Sequence, residues 1–451
     1  MEAIACNTEF RSVVLRASQW MKRCRSFWIR VGIVFVFHCR WAGRAEDAFE
    51  REPISYSITR PKDRVQAIEG RMASGDLRLE GDDRSILRQL LALLDIPEES
   101  QLLVFSRTSF QNDLIRPEHP RALYFGDTAY VGWVPGGLME VAVMSPTLGP
   151  VFYSFDPHPP KEPKVRFVRN DDCLRCHGGT FIRDIPAILA RSVYTDTRGY
   201  PVLTWGSELV GDTTPLDLRW GGWYVTGRAG NVRHRGNLTI TGETLPSIAQ
   251  LHQASDRTNL DSFFDSSGYL SASSDIVALM VFEHQLTVHN ALTQADQHCR
   301  WMMHYQEGLQ RSFKETITDK PVYESVIHAF EHSAERILDA LLFKDAAQFP
   351  SGGIQGGKTF AHAFLMRGPT DQADPRVSLR SLDLKSRLFR WRCSYVISTP
   401  VFDSIQPHLR ATVLKRLDHI LREPGSEPRY AYLEPEERTM IRAILKPILV
   451  H

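Results

Sequence analysis

The spacing of apolar residues changes period along this chain, and each change marks a change of element. Residues 85–94 place apolar side chains at helical spacing, and the stretch 53–99 around them is mainly helical in pattern. From 102 onward the apolar runs shorten and fill with Val, Phe and Tyr. Runs at 102–105, 121–124, 129–134, 139–144 and 151–155 are separated by turn formers such as Gly126-Asp127 and Pro135-Gly136-Gly137, which predicts strands and hairpins. Residues 156–163 contain Pro157, Pro159, Pro160 and Pro163 and read as a stiff connector. Residues 173–240 are rich in Gly, Trp and Arg without a steady period, which predicts irregular structure. Helical patterns return at 276–291, 322–344, 383–394, 405–421 and 435–450. The expected fold class is α+β: a mixed N-terminal region with antiparallel strands (46–165), an irregular central region (166–300) and a mainly α-helical C-terminal region (301–451).

Composition narrows the partners. Lys plus Arg total 54 and Asp plus Glu total 53, a net charge of +1. That balance gives no electrostatic case for nucleic acid. Residues 1–45 read as an export signal whose start is Met21, the alternative being a membrane anchor or a buried N-terminal helix. Lys22, Arg23 and Arg25 supply the basic end. Residues 27–37 are apolar apart from Arg30 and Gly32, and Ala42-Gly43-Arg44-Ala45 supplies the small residues of a cleavage site. The apolar run is too short for a comfortable span, so an exported, periplasmic protein with no stable membrane span is expected. Four cysteines lie beyond this segment: Cys173, Cys176, Cys299 and Cys393. They are too few for a disulfide framework. Cys299 and Cys393 read as either one bridge or two buried thiols.

The chemistry is carried by Cys173-Leu174-Arg175-Cys176-His177, a CxxCH haem-attachment pattern. Two thiols three positions apart lie on one helical turn and can each add to one haem vinyl group. The adjacent imidazole then reaches the iron. With 7 Cys and 16 His in 451 residues, the pattern is expected by chance about 0.004 times. One covalent haem c is therefore the expected cofactor, with His177 as an axial ligand. The alternative is zinc, with His328 and His332 completing a Cys₂His₂ set from one helix face. No Met occurs between His177 and Met280. The candidates for the second axial position are then His234, His252, His284 and His289, with His284 favoured, then His234, then His289, and with Met280 behind. Arg191 and Arg219 are candidate donors to the haem propionates, and Trp223 a candidate cover for the haem face.

The segment Cys173 to Gly179, together with Ile185-Pro186, Arg191 to Asp196, Arg219 to Gly227 and His234-Arg235-Gly236-Asn237, resembles a family of large, exported, single-haem c-type cytochromes of bacteria. Tyr130 to Gly137, Leu279 to Gln285, His289-Asn290 and Asp383 to Phe389 are similar too. Arg235 stands where an apolar residue is expected. The resemblance implies haem binding and export and names no reaction. Electron transfer with redox partner proteins is the leading expectation. A haem enzyme, such as a peroxidase or small-molecule reductase, and a haem-based sensor are the alternatives. Gly352 to Thr359 matches P-loop spacing, but no buried apolar strand precedes it, so it reads as a flexible loop.

Overall fold

In the computed structural model the described residues are 47–159, 166–179, 182, 184–231, 233–242, 256–368, 377–423, 425 and 427–449. The export-signal expectation, residues 1–45, part of the connector and the candidate ligand His252 lie outside them.

Two capped helices lead into the sheet. Helix α1 is Arg64–Ala73 and α2 is Asp83–Leu93. Each starts where an Asp side chain accepts a main-chain N–H: Asp63 from Gln66 at 3.1 Å, Asp82 from Ser85 at 2.8 Å. Such caps typically contribute about 1 kcal/mol each. Val65, Ile68, Ile86, Leu87, Leu90 and Leu91 form the buried faces of these helices.

The strands are β1 (Leu102–Val104), β2 (Arg121–Phe125), β3 (Ala129–Trp133), β4 (Met139–Ser145), β5 (Gly149–Phe155), β6 (Phe167–Arg169), β7 (Arg191–Val193), β8 (Ser207–Leu209), β9 (Trp223–Tyr224), β10 (Gly227–Arg228) and β11 (Asp256–Arg257). Seven of them form one antiparallel sheet in the order β6-β5-β4-β3-β2-β1-β9. Alternation sorts the side chains. Leu103, Tyr124, Val131, Val141, Val143 and Tyr153 share a core with α1 and α2. Leu102, Val104, Phe125, Tyr130, Ala142 and Phe152 share the other core with the C-terminal helices.

The short helix α3, Leu174–His177, follows β6 through Asn170 and a 3-10 turn at Asp171–Cys173. Helix α4, Ile276–Phe313, covers the second sheet face. Its first ten residues, 276–285, are all buried, including the polar Glu283, His284 and Gln285, which are paired respectively with Arg219, with Asp212 and Ser394, and with Tyr395. Phe282 of α4 meets Phe125 at 5.4 Å and Tyr130 at 6.0 Å between ring centroids. Helices α5 (Glu324–Leu341), α6 (Lys358–Met366), α7 (Pro407–Arg422) and α8 (Pro435–Ile444) complete the α+β fold. The chain from Ala48 onward clusters as one compact unit. Among the described residues no helix is long and apolar enough to cross a membrane.

Two sequence expectations for helices need correcting. Residues 383–394 are not a helix. The Asp383 carboxylate accepts from Lys385 N and Ser386 Oγ, Leu384 has φ +61°, and the chain doubles back with Leu382 paired to Phe389. Helix α4 runs 38 residues, far beyond the expected 276–291.

Candidate functional site

The motif turn is fastened to the sheet before it begins. Asn170 N donates to Phe152 O at 3.0 Å, and its Nδ2 donates to Ser154 Oγ at 3.1 Å. Its Oδ1 accepts the N–H of Asp172 at 3.2 Å, which starts the helical turn. Cys173 is half-buried and Cys176 exposed. Burial pushes the Cys173 thiol up to about 11, with Glu140 raising it and Arg121 opposing. The chain can leave α3 because residue 178 is Gly: a Cβ there would stand 2.9 Å from Leu174 O and 3.0 Å from a Phe49 ring carbon.

His177 is held on three sides. Its Nδ1 lies 2.8 Å from Ala187 O, so Nδ1 carries the proton, and its own carbonyl accepts the N–H of Ala187 at 2.8 Å. Its ring packs on Phe152 at 4.9 Å. Burial lowers its basicity, opposed by the Ala187 hydrogen bond, so the imidazole is neutral near pH 7. Helix α4 holds the facing segment: Asn290 exchanges hydrogen bonds with the N–H and C=O of Ile188 at 3.1 and 2.9 Å. A main-chain acceptor on Nδ1 fixes the tautomer whose Nε2 lone pair suits a metal. Among the described residues no hydrogen bond to His177 Nε2 is present.

The zinc alternative is not assembled. Among the described residues no group of three or more His, Cys, Asp or Glu is arranged to hold a metal ion. His328 and His332 are exposed on α5 and do not join the two cysteines.

The other expected site residues are placed elsewhere. His284 is fully buried; its Nδ1 lies 2.8 Å from Asp212 Oδ2 and its Nε2 2.7 Å from Ser394 Oγ. Both nitrogens are taken, and Phe343 stacks on the ring at 4.2 Å. His234 is buried against Trp220, with Nδ1 accepting from Gly236 N at 3.0 Å. Arg219 spends its donors on Glu283 at 2.8 Å, Thr214 O at 2.9 Å and Asp212 O at 3.0 Å. Trp223 sits in the core on β9, its Nε1 donating to Arg191 O at 2.7 Å. None of these five residues contacts Cys173, Cys176 or His177 through a hydrogen bond or ring contact among the described residues. Met280 is a core residue of α4. His289 is buried, with Nδ1 2.8 Å from Tyr130 Oη and Nε2 without a partner among the described residues.

Asp212, His284 and Ser394 form an Asp–His–Ser hydrogen-bonded series that sequence reading missed, because its members are 72 and 110 residues apart. Ser394 has no exposed surface, and its Oγ also accepts from Val396 N at 3.3 Å. It is a buried polar joint, without the open nucleophile acyl transfer needs. The glycine-rich segment 352–357 is filled from within: Gly357 N donates to Asp275, whose carboxylate also caps α4 at Val277 and Ala278. An internal carboxylate thus takes the place a phosphate would need. Cys299 and Cys393 are free, buried thiols.

No family model matches the chain, and neither the curated proteins nor the solved structures compared give a match.

Proposed function

We propose that this chain carries one covalent haem c on Cys173 and Cys176, with His177 as axial ligand, and serves as an exported electron-transfer protein of the periplasm. The reading is carried by one observation: the imidazole that ends the CxxCH turn is fixed by Ala187 O in the tautomer that presents Nε2 to a metal. The chain's own residues orient that ligand, seat its ring on Phe152 and keep it neutral. Bound there, the haem would supply one-electron oxidation and reduction. The exposed Cys176 and Arg175 leave one side of the turn open to solvent, which suits exchange with redox partner proteins. Export rests on the pattern of residues 21–45, and the resemblance to exported single-haem cytochromes rests on the quoted motifs.

A second reading, a haem enzyme or haem-based sensor with an open distal side, is favoured by His284, whose two nitrogens are occupied. Expression with the haem-attachment machinery, followed by mass and visible spectrum, tests the assignment. The expected product gains one haem, and Cys173→Ser with Cys176→Ser loses it. An unchanged mass in the native chain overturns the assignment. A low-spin spectrum indifferent to carbon monoxide and peroxide supports the carrier. A high-spin spectrum altered by them supports the second reading.

A further inference from the structure

A charge pair lies close enough to the motif turn to act electrostatically on Cys173 and His177, and its carboxylate also accepts from Gln111 Nε2 at 3.1 Å. Arg121 on β2 and Glu140 on β4 are ion-paired although β3 lies between their strands. The guanidinium crosses at Gly132, where a Cβ would stand 2.5 Å from Arg121 Cζ. The side chains are only 16% and 17% exposed, on the sheet face that otherwise presents Leu102, Leu123, Ala142 and Phe152. A pair so placed carries a desolvation penalty that an apolar pair would not. Arg121 Nε is buried without a partner among the described residues.

The pair is tied to the motif through the sheet. Glu140 is directly opposite Ser154 on β5, a relation that puts Cβ atoms about 5 Å apart. Ser154 Oγ accepts from Asn170, the residue that opens the cysteine turn. Phe152, two residues along the same face, supports the His177 ring.

We propose that Arg121 and Glu140 act with opposite sign on the reduction potential of the haem held at Cys173, Cys176 and His177, an inference that rests on the haem reading above. A haem bound there would lose one unit of positive charge on taking one electron from an external reductant. The Glu140 carboxylate therefore favours the oxidised state and the Arg121 guanidinium the reduced one. Charge placed around a haem is one of the protein's levers on potential. The pair keeps the two effects balanced.

The test is a redox titration of the haem-loaded full chain with dithionite, after its mass shows one covalent haem. Glu140→Gln is expected to raise the potential and Arg121→Gln to lower it. Each shift is expected to be at least about tenfold in the oxidised-to-reduced equilibrium, which is 59 mV for one electron. The double variant, with the same net charge as the native chain, is expected to return near the native value. Potentials within about twofold of native in both single variants overturn the proposal, as do shifts of the same sign, which loss of packing would produce. If only one single variant folds, the sign of its shift decides. If neither single variant folds, the pair is a structural element and the proposal is overturned. A native chain without haem overturns the haem reading and this inference together, and the mass shows that before any titration.

Discussion

His177 and Ala187 hold each other by two hydrogen bonds of 2.8 Å, one from the imidazole Nδ1 to the Ala187 carbonyl and one from the Ala187 N–H to the His177 carbonyl. Ten residues separate them, and Ala187 is buried. His177→Phe keeps the ring against Phe152 but leaves the Ala187 carbonyl unpaired. A buried acceptor left unpaired costs about 1–3 kcal/mol. Urea denaturation of the variant should show a loss of that order. The same substitution should leave the haem mass in place, since the cysteines attach it, while changing the visible spectrum. A native spectrum in His177→Phe would remove His177 from the iron.

Gly132 is required by what crosses it. A Cβ there would stand 2.1 Å from Arg121 Nη2, and strands β2 and β4 fix both ends of the ion pair. Gly132→Ala is expected to destabilise the chain by about 1–3 kcal/mol, the usual range for overpacking a core. In the background of Arg121→Ala the same change should cost less, because the obstructing guanidinium is gone. A double-mutant cycle with a coupling below about 0.5 kcal/mol would show that the two positions are independent.

How far the sequence could show these relationships depends on their range. The strands from 102 to 155 were legible because each carries its own apolar run and each turn its own Gly or Pro. The cysteine turn was legible because its chemistry sits in five consecutive residues. The long reach of α4 was hidden: Gln297, Gln306 and Gln310 look like surface residues but are buried. Gln297 and Gln306 satisfy their amides on the main chain of Leu148 and Lys320 at 3.0 and 2.8 Å. Strand β9 is two residues long and finds its partner on β1, more than a hundred residues earlier, so no local pattern announces it. His284 looked like a free ligand because Asp212 and Ser394, which occupy it, are distant in sequence.

Acid sensitivity should trace to His289. Tyr130 Oη accepts from Gln285 Nε2 at 2.8 Å, so its own hydrogen goes to His289 Nδ1. Nε2 then carries the ring proton, and among the described residues no further acceptor awaits a second proton. Burial pulls the His289 pKa down to about 3, against an ordinary 6.5. A lowered value means that the unfolded chain binds the proton more readily than the folded one. The contribution to stability is complete above about 6.5 and is lost as pH falls from there toward 3. Each unit of difference is about 1.4 kcal/mol, so the loss at pH 3 is on the order of several kcal/mol. His289→Gln should flatten the stability profile between pH 6.5 and 3. An unchanged acid limb in that variant would place the sensitivity elsewhere.

Arg219 and Glu283 give the opposite sign. The pair is nearly sealed, with side chains 4% and 2% exposed, and joined at 2.8 Å. Burial raises the Glu283 carboxyl above the ordinary range, and Arg219 opposes the rise. A raised value makes the folded chain the better proton binder. The contribution is therefore fully present below about 4.5 and is lost as pH rises through the higher folded value. Arg219→Met removes the opposing charge and leaves a buried carboxyl unpaired, which typically costs about 3–5 kcal/mol. The deficit relative to the native chain should widen from pH 5 to pH 8, as the carboxyl is forced to ionise in the unfolded state and resists doing so in the folded one. Adding Glu283→Met should recover most of the loss, since two apolar side chains carry no desolvation penalty. Chemical denaturation of the three proteins at pH 5 and pH 8 measures both effects. A deficit that is equal at the two pH values would show that Arg219 acts through its bonds to Thr214 and Asp212 rather than through the charge of Glu283.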